Sequence, residues 1–190
     1  MDSIAGVLLA AGSSSRMRGP NKLLLEFEGE SLLRRASRRG MAAGLDPFIV
    51  VLGHEADRAR GKLAGLAVLP VVNAGYARGV NGSLRTGIAA VPPDAAGAMV
   101  LLADMPFVTA DMIRTVMEKF RESRVELVVS DYGGVQAPPT LYGRALFEQI
   151  LALEDGEGGG KAVVARNLDR ASIVTWPPSR LRDLDRVEDW

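Results

Sequence analysis

Cysteine is absent from this 190-residue chain, and histidine occurs once, as His54. Without thiols there are no disulfides, no thiolate zinc sites and no cysteine nucleophile. One imidazole is too few for a histidine metal cluster or a two-histidine relay. An excess of either charge is also missing, because 23 basic side chains face 23 acidic ones. A broad electrostatic footprint for nucleic acid or a membrane surface is therefore not expected. The longest apolar runs reach about half of the roughly 20 residues that span a bilayer. Met1-Asp2-Ser3-Ile4 sets no basic segment ahead of its apolar stretch, so it does not read as a secretory signal. The expectation is a soluble cytoplasmic protein that uses neither nucleic acid nor membrane.

What is present suffices for a sizeable core. Apolar residues make up 47% of the chain, with no low-complexity tract and no repeat. The length suits one domain, 1–190. Ile4 to Ala11 is a continuous apolar run, as expected of a strand covered on both faces. Pro47 to Leu52, Leu66 to Val72, Ala98 to Ala103, Glu126 to Ser130 and Ser172 to Trp176 read as further strands. Helical patterns fall between them. Leu32 to Ala43 follows the candidate N-cap Ser31 and stops at Gly44, and Ala110 to Ser123 follows the candidate N-cap Thr109. Glu55 to Ala64, Ser83 to Ala90 and Arg144 to Leu153 complete the set, with Asp155 to Gly160 as a flexible loop. This alternation predicts a three-layer, Rossmann-like α/β fold with a mostly parallel sheet.

In such sheets ligands bind beyond the carboxyl ends of the strands. Two polar clusters fall there. The first is "LLAAGSSSRMRGPNKLL", residues 8 to 24. Small residues from Ala10 to Ser15 let backbone amides turn toward an anion, and Arg16, Arg18 and Lys22 supply full charges. Arginine forks two phosphate oxygens, while lysine acts as a point charge. A plain polar turn with solvated cations is the other reading of the same residues. Neither of two common phosphate loops fits: the G-x-G-x-x-G pattern lacks its second glycine, and Gly160-Lys161 has Asp155 and Ala162 at the P-loop's defining positions. The second cluster is "LLADMPFVT", where Asp104 ends the most apolar strand. That carboxylate can hold Mg²⁺ or simply cap the next turn.

The first stretch resembles the signature loop of the molybdenum-cofactor type of nucleotidyltransferase, with looser versions among sugar-phosphate and terpenoid-precursor nucleotidyltransferases. The resemblance implies the nucleotide-diphospho-sugar transferase fold. It implies that Ala10, Ala11, Gly12, Ser13, Ser14, Ser15, Arg16 and Lys22 wrap the triphosphate of an NTP. It also implies that Asp104, in an Asp-x-Pro, ligates the catalytic metal. "LRDLDRVEDW" resembles the family's late acidic segment, which makes Asp183 and Asp185 further metal candidates, although Arg186-Val187 replaces Thr-Pro and a solvated acidic tail fits as well. "NAGYARGVNGSLRTGI", residues 73 to 88, resembles the segment that closes over the base, bringing in Asn73, Gly82 and Ser83. Read as bare sequence, it is a glycine-rich loop before a helix, with Ser83 as N-cap.

In the family that the loop resembles, Ala-Ala-Gly goes with CTP and Ala-Gly-Gly with GTP, so by that resemblance Ala10-Ala11-Gly12 implies CTP over GTP; the Ala11 methyl would also narrow a base pocket. Downstream the match weakens: Pro138 stands where relatives carry His or Asn before a strand, and Asp155-Gly156 and Lys161 only loosely follow the acceptor-side motif. His54 in "VVLGHEAD" reads as a turn residue. Arg34, Arg35, Arg38 and Arg39 fall at helical spacing as a solvated face, or as a dock for an acidic acceptor or partner. By the resemblance, the expected activity is Mg²⁺-dependent transfer of CMP from CTP to a phosphate monoester, molybdopterin first, with pyrophosphate released. Lys22 is assigned to the α-phosphate and attacking oxygen, Arg16 to the leaving phosphates and Asp104 to the metal. The alternatives are a sugar, polyol or choline phosphate as acceptor, or a non-catalytic module that delivers cofactor to a molybdoenzyme.

Overall fold

The computed structural model describes residues 3–12 and 21–181. Along the chain they form β1 (Ile4–Ala10), a small hairpin of β2 (Glu26–Phe27) and β3 (Glu30–Ser31), α1 (Leu32–Ala42), β4 (Phe48–Leu52), α2 (Ala56–Lys62), β5 (Leu69–Val72), α3 (Val80–Ala89), β6 (Gly97–Leu102) and α4 (Ala110–Ser123). β7 (Leu127–Asp131), β8 (Gln136–Gly143), α5 (Phe147–Leu151), α6 (Lys161–Asn167) and β9 (Ser172–Thr175) follow. The main sheet has seven strands in the order β5-β4-β1-β6-β8-β7-β9. β8 runs antiparallel to both neighbours, and the other adjacent pairs are parallel. The predicted α/β sheet is therefore present, with one reversed strand.

Alternation along the strands divides the interior in two. Ile4, Leu8, Val50, Leu52, Met99 and Leu101 face Leu33, Ile113 and Val116 on one side. Val7, Leu9, Ile49, Val51 and Val100 face Leu84, Ile88, Ile150 and Val163 on the other. Helices thus cover both faces, which is why β1, β4 and β6 read as uninterrupted apolar runs. Two of the predicted caps form as expected. Ser31 Oγ accepts from Arg34 N, and Thr109 Oγ1 accepts from Met112 N.

Four expectations need correction. The reversed strand β8 was hidden by Pro138-Pro139, since proline cannot donate to a ladder. Here the pairing of β8 with β6 ends at Thr140, opposite Val100, so both prolines lie beyond it. On the β7 side the register shifts between Val129 and Asp131, and Ser130 Oγ donates to the Pro139 carbonyl at 2.7 Å. The third strand starts at Leu69, three residues later than predicted, and the 144–153 helix is a 3-10 turn leading into α5. Helix α6 is not among the predicted elements. Among the described residues, no helix is long and apolar enough to cross a membrane.

Candidate functional site at the carboxyl edge of the sheet

The parallel strands β1, β4, β5 and β6 all end on one edge, and backbone bonds stitch the segments beyond them together. His54 N donates to the Ala11 carbonyl, Asn73 N to Leu52 and Ala103 N to Leu9. Gly53 sits where β4 leaves the sheet. A Cβ there would lie 2.7 Å from the Ala11 carbonyl oxygen and from Tyr76 Cβ, and 2.8 Å from Ala11 Cβ, so only glycine fits. Ala10 and Ala11 are buried, while Gly12 is exposed with open space around it. The Ala11 methyl and the Tyr76 side chain thus both crowd Gly53.

After the first loop the chain returns through Asn21, whose Oδ1 accepts from Leu23 N and whose amide reaches the His54 carbonyl at 3.5 Å. Lys22 follows at once. Its Nζ lies 2.9 Å from Asp104 Oδ2, with the two side chains 12% and 29% exposed. The lysine after β1 and the aspartate after β6 therefore meet at one point on the edge. Ser13, Ser14, Ser15 and Arg16 lie outside the described residues, as do Asp183 and Asp185.

The middle segment gathers around Asn73 at the end of β5. Asn73 Oδ1 accepts from Gly75 N at 2.9 Å, and its amide donates to Ser83 Oγ at 3.0 Å. Both side chains are buried. Ser83 is not the N-cap: α3 begins at Val80, so Ser83 lies one turn inside and its hydroxyl holds Asn73 instead of a helix amide. Gly82 faces the Asn73 amide, where a Cβ would stand 3.3 Å away. The His54 ring turns toward Tyr76, Nδ1 lying 3.5 Å from the tyrosine oxygen.

The loop at 155–160 is anchored rather than free. Asn81 donates to the Glu154 carbonyl at 2.9 Å and accepts from Gly159 N at 2.8 Å, and its own N–H donates to Gly156. Arg85 bonds the Leu153 carbonyl and pairs with Asp155 at 2.5 Å, where Arg78 also reaches at 3.3 Å. Gly79 adopts φ +109°, with the Gly156 carbonyl so close that any Cβ would strike it. No pattern in the sequence marked Asn81; its spacing to the glycine-rich loop is long-range.

The arginines of α1 are not a solvated face either. Arg34 donates to the Lys62 and Ala64 carbonyls, while Arg35 pairs with Glu28 at 2.5 Å and covers the Phe27 ring. Arg39 donates to the carbonyls of Pro106 and Val108. Burial, and then the nearby Arg35, lower the Arg39 pKa from its ordinary value. Of the four, Arg38 is the exposed one, 3.6 Å from Glu30.

Among the described residues, no group of three or more His, Asp or Glu side chains converges to hold a metal ion. Asp104 alone still suits Mg²⁺, which takes one or two carboxylates and completes its shell with phosphate oxygens and water.

Residues 6–171 match the MobA-like NTP transferase domain. The chain belongs to that family. This MobA-like chain is accordingly a nucleotidyltransferase. It is 31% identical over 172 residues to the bifunctional protein GlmU of Ruegeria sp., covering 87% of this chain but 37% of that relative's length. It is 26% identical to the purine catabolism protein PucB of Bacillus subtilis, with 98% and 94% of the two chains covered. It is 30% identical to nicotine blue oxidoreductase of Paenarthrobacter nicotinovorans, with 97% and 93% covered. The crystal structure of Rv0371c from Mycobacterium tuberculosis superposes with a TM-score of 0.87 at 28% identity, covering 99% of this chain and 95% of that one. Rv0371c has also been solved in complex with manganese, and that form superposes at 0.81.

Proposed function

We propose that this nucleotidyltransferase moves CMP from CTP to a phosphate monoester, with molybdopterin as acceptor, as a single catalytic domain over residues 1–190. The observation that carries the reading is the meeting of Lys22 and Asp104 at 2.9 Å on the carboxyl edge. An oxygen of the acceptor phosphate attacks the α-phosphorus of CTP, the bond from that phosphorus to the bridging oxygen of the β-phosphate breaks, and pyrophosphate departs. A phosphate monoester is already ionised near neutral pH, so positioning and charge neutralisation do the work. Lys22 neutralises the α-phosphate and aligns the attacking oxygen. Arg16, with the amides of Gly12 to Ser15, receives the leaving phosphates. Asp104, with Asp183 or Asp185, holds a Mg²⁺ ion, which supplies charge neutralisation on the triphosphate when bound. The manganese complex of Rv0371c supports a divalent ion as cofactor.

Asn73, Gly82 and Ser83 form the wall beside the base. Ala11, Gly53 and Tyr76 are close-packed, and that filled ground favours a pyrimidine over a purine. Molybdopterin rests on the resemblance of the first loop and on the family. A pyrophosphate-release screen of four NTPs against molybdopterin and phosphorylated alcohols tests both choices. Fastest release is expected with CTP and molybdopterin. A GTP preference overturns the base assignment, and faster transfer to a sugar, polyol or choline phosphate overturns the acceptor.

A further inference from the structure

Asp104 begins a short connection, Asp104 to Val108, between β6 and the Thr109 cap. Within it, Met105 N donates to Leu102 and Val108 N to Met105, and Pro106 has no N–H to give. Two carbonyls, those of Pro106 and Val108, turn to the same Arg39 guanidinium nitrogen, the second at 2.8 Å. Arg39 comes from the last turn of α1, far away in sequence. Beneath the connection lies a cavity of about 10 Å³, lined by Ala36, Arg39, Met105, Val108, Ile113 and Pro138. Such a space holds about one water, so side-chain packing does not fill the ground under the loop. A guanidinium suits this task because its donors are fixed in one plane and stay charged.

We propose that Arg39 is a positioning residue for Asp104: by gathering the Pro106 and Val108 carbonyls it sets the course of the loop, and with it the reach of the Asp104 carboxylate toward Lys22 and a divalent ion. The inference rests on the metal-holding role proposed for Asp104. Groups that orient a metal-ligating carboxylate without touching the metal typically change affinity or activity by about 10–100-fold when removed.

The test compares wild type, Arg39→Met, Arg39→Lys and Asp104→Asn. Mn²⁺ binding, alone and with CTP, is followed by the electron paramagnetic resonance signal of the free ion, beside kcat, KM and thermal unfolding. Arg39→Met is expected to weaken Mn²⁺ binding and lower kcat by roughly tenfold or more, with KM for CTP moved less than about threefold because Lys22 and the first loop are untouched. Arg39→Lys, whose ammonium can offer donors to both carbonyls as the single guanidinium nitrogen does, is expected to restore much of both losses. A lower melting temperature with unchanged Mn²⁺ affinity and unchanged kcat would make Arg39 purely structural and overturn the inference. Should Arg39→Met not fold, Arg39→Gln, which is too short to reach both carbonyls, takes its place, and wild-type Mn²⁺ affinity with wild-type kcat there overturns the inference. Asp104→Asn separates the two claims: unchanged Mn²⁺ binding there removes the metal role of Asp104, whatever Arg39 does.

Discussion

Lys22 Nζ and Asp104 Oδ2 stand 2.9 Å apart although 82 positions separate the residues, so the turn after β1 and the turn after β6 share one charged point. Both side chains keep some contact with solvent, 12% for Lys22 and 29% for Asp104. The role proposed for the pair rests on its position at the strand ends. Lys22→Ala is expected to lower kcat by about 10²-fold or more while the melting temperature moves by a few degrees at most. A smaller change is expected in KM for the nucleotide. Steady-state kinetics and calorimetry on one preparation check this, and equal losses in kcat and nucleotide affinity would mean uniform binding instead.

Asn73 and Ser83 are buried, and they bond each other at 3.0 Å across the join of β5 and α3. Ser83→Ala leaves the Asn73 amide without that acceptor, and an unsatisfied buried donor costs about 1–3 kcal/mol. Because Gly75 N rests on the other end of the same amide, the turn before α3 should loosen together with it. The expected result is a lower urea midpoint with an unchanged m-value, together with a several-fold rise in KM for the nucleotide. Wild-type KM in a destabilised Ser83→Ala would separate this hydrogen bond from nucleotide recognition.

Asn81 ties the 155–160 loop to the start of α3 through two side-chain bonds. Removing both with Asn81→Ala costs about 1–2 kcal/mol of local order. The loop belongs to the half of the chain expected to shape the acceptor site. KM for the acceptor should rise about fivefold or more, the factor that about 1 kcal/mol represents, while KM for CTP stays within about twofold. A change confined to CTP would place the loop on the nucleotide side.

Much of the fold was legible because its signals are local. A parallel strand buried on both faces shows as an apolar run, and Ser31 and Thr109 cap helices through bonds spanning three residues. Of the candidate site, two short motifs pointed to the strand ends after β1 and β6, where Lys22 and Asp104 meet. What escaped detection depends on distance along the chain. Pro138-Pro139 disguised β8, whose pairing with β6 stops just short of them. Ser83 looked like a cap because serine favours that position, yet a partner ten residues away claims its hydroxyl. Arg39 looked solvated because helical spacing says nothing about a carbonyl 67 residues downstream.

Tyr132 and Tyr142 give the protein a defined weakness at high pH. Burial raises both phenol pKa values well above the ordinary 10; for Tyr132 a hydrogen bond with Ser130 pulls slightly the other way. In the unfolded chain the same phenols ionise near pH 10. Between those limits the unfolded state has released protons that the folded state still holds, so unfolding is favoured as pH rises. The stabilisation is complete below about pH 10 and declines through the folded-state values above it. Tyr142→Phe is expected to flatten that decline while leaving stability at pH 8 within about 1 kcal/mol. Tyr132→Phe also flattens it but costs about 1 kcal/mol at pH 8, because its hydroxyl donates to the Pro138 carbonyl at 2.8 Å. Urea unfolding from pH 8 to pH 11 on the three proteins measures both effects, and a wild-type curve that stays level across that range would mean that neither phenol is held neutral by the fold.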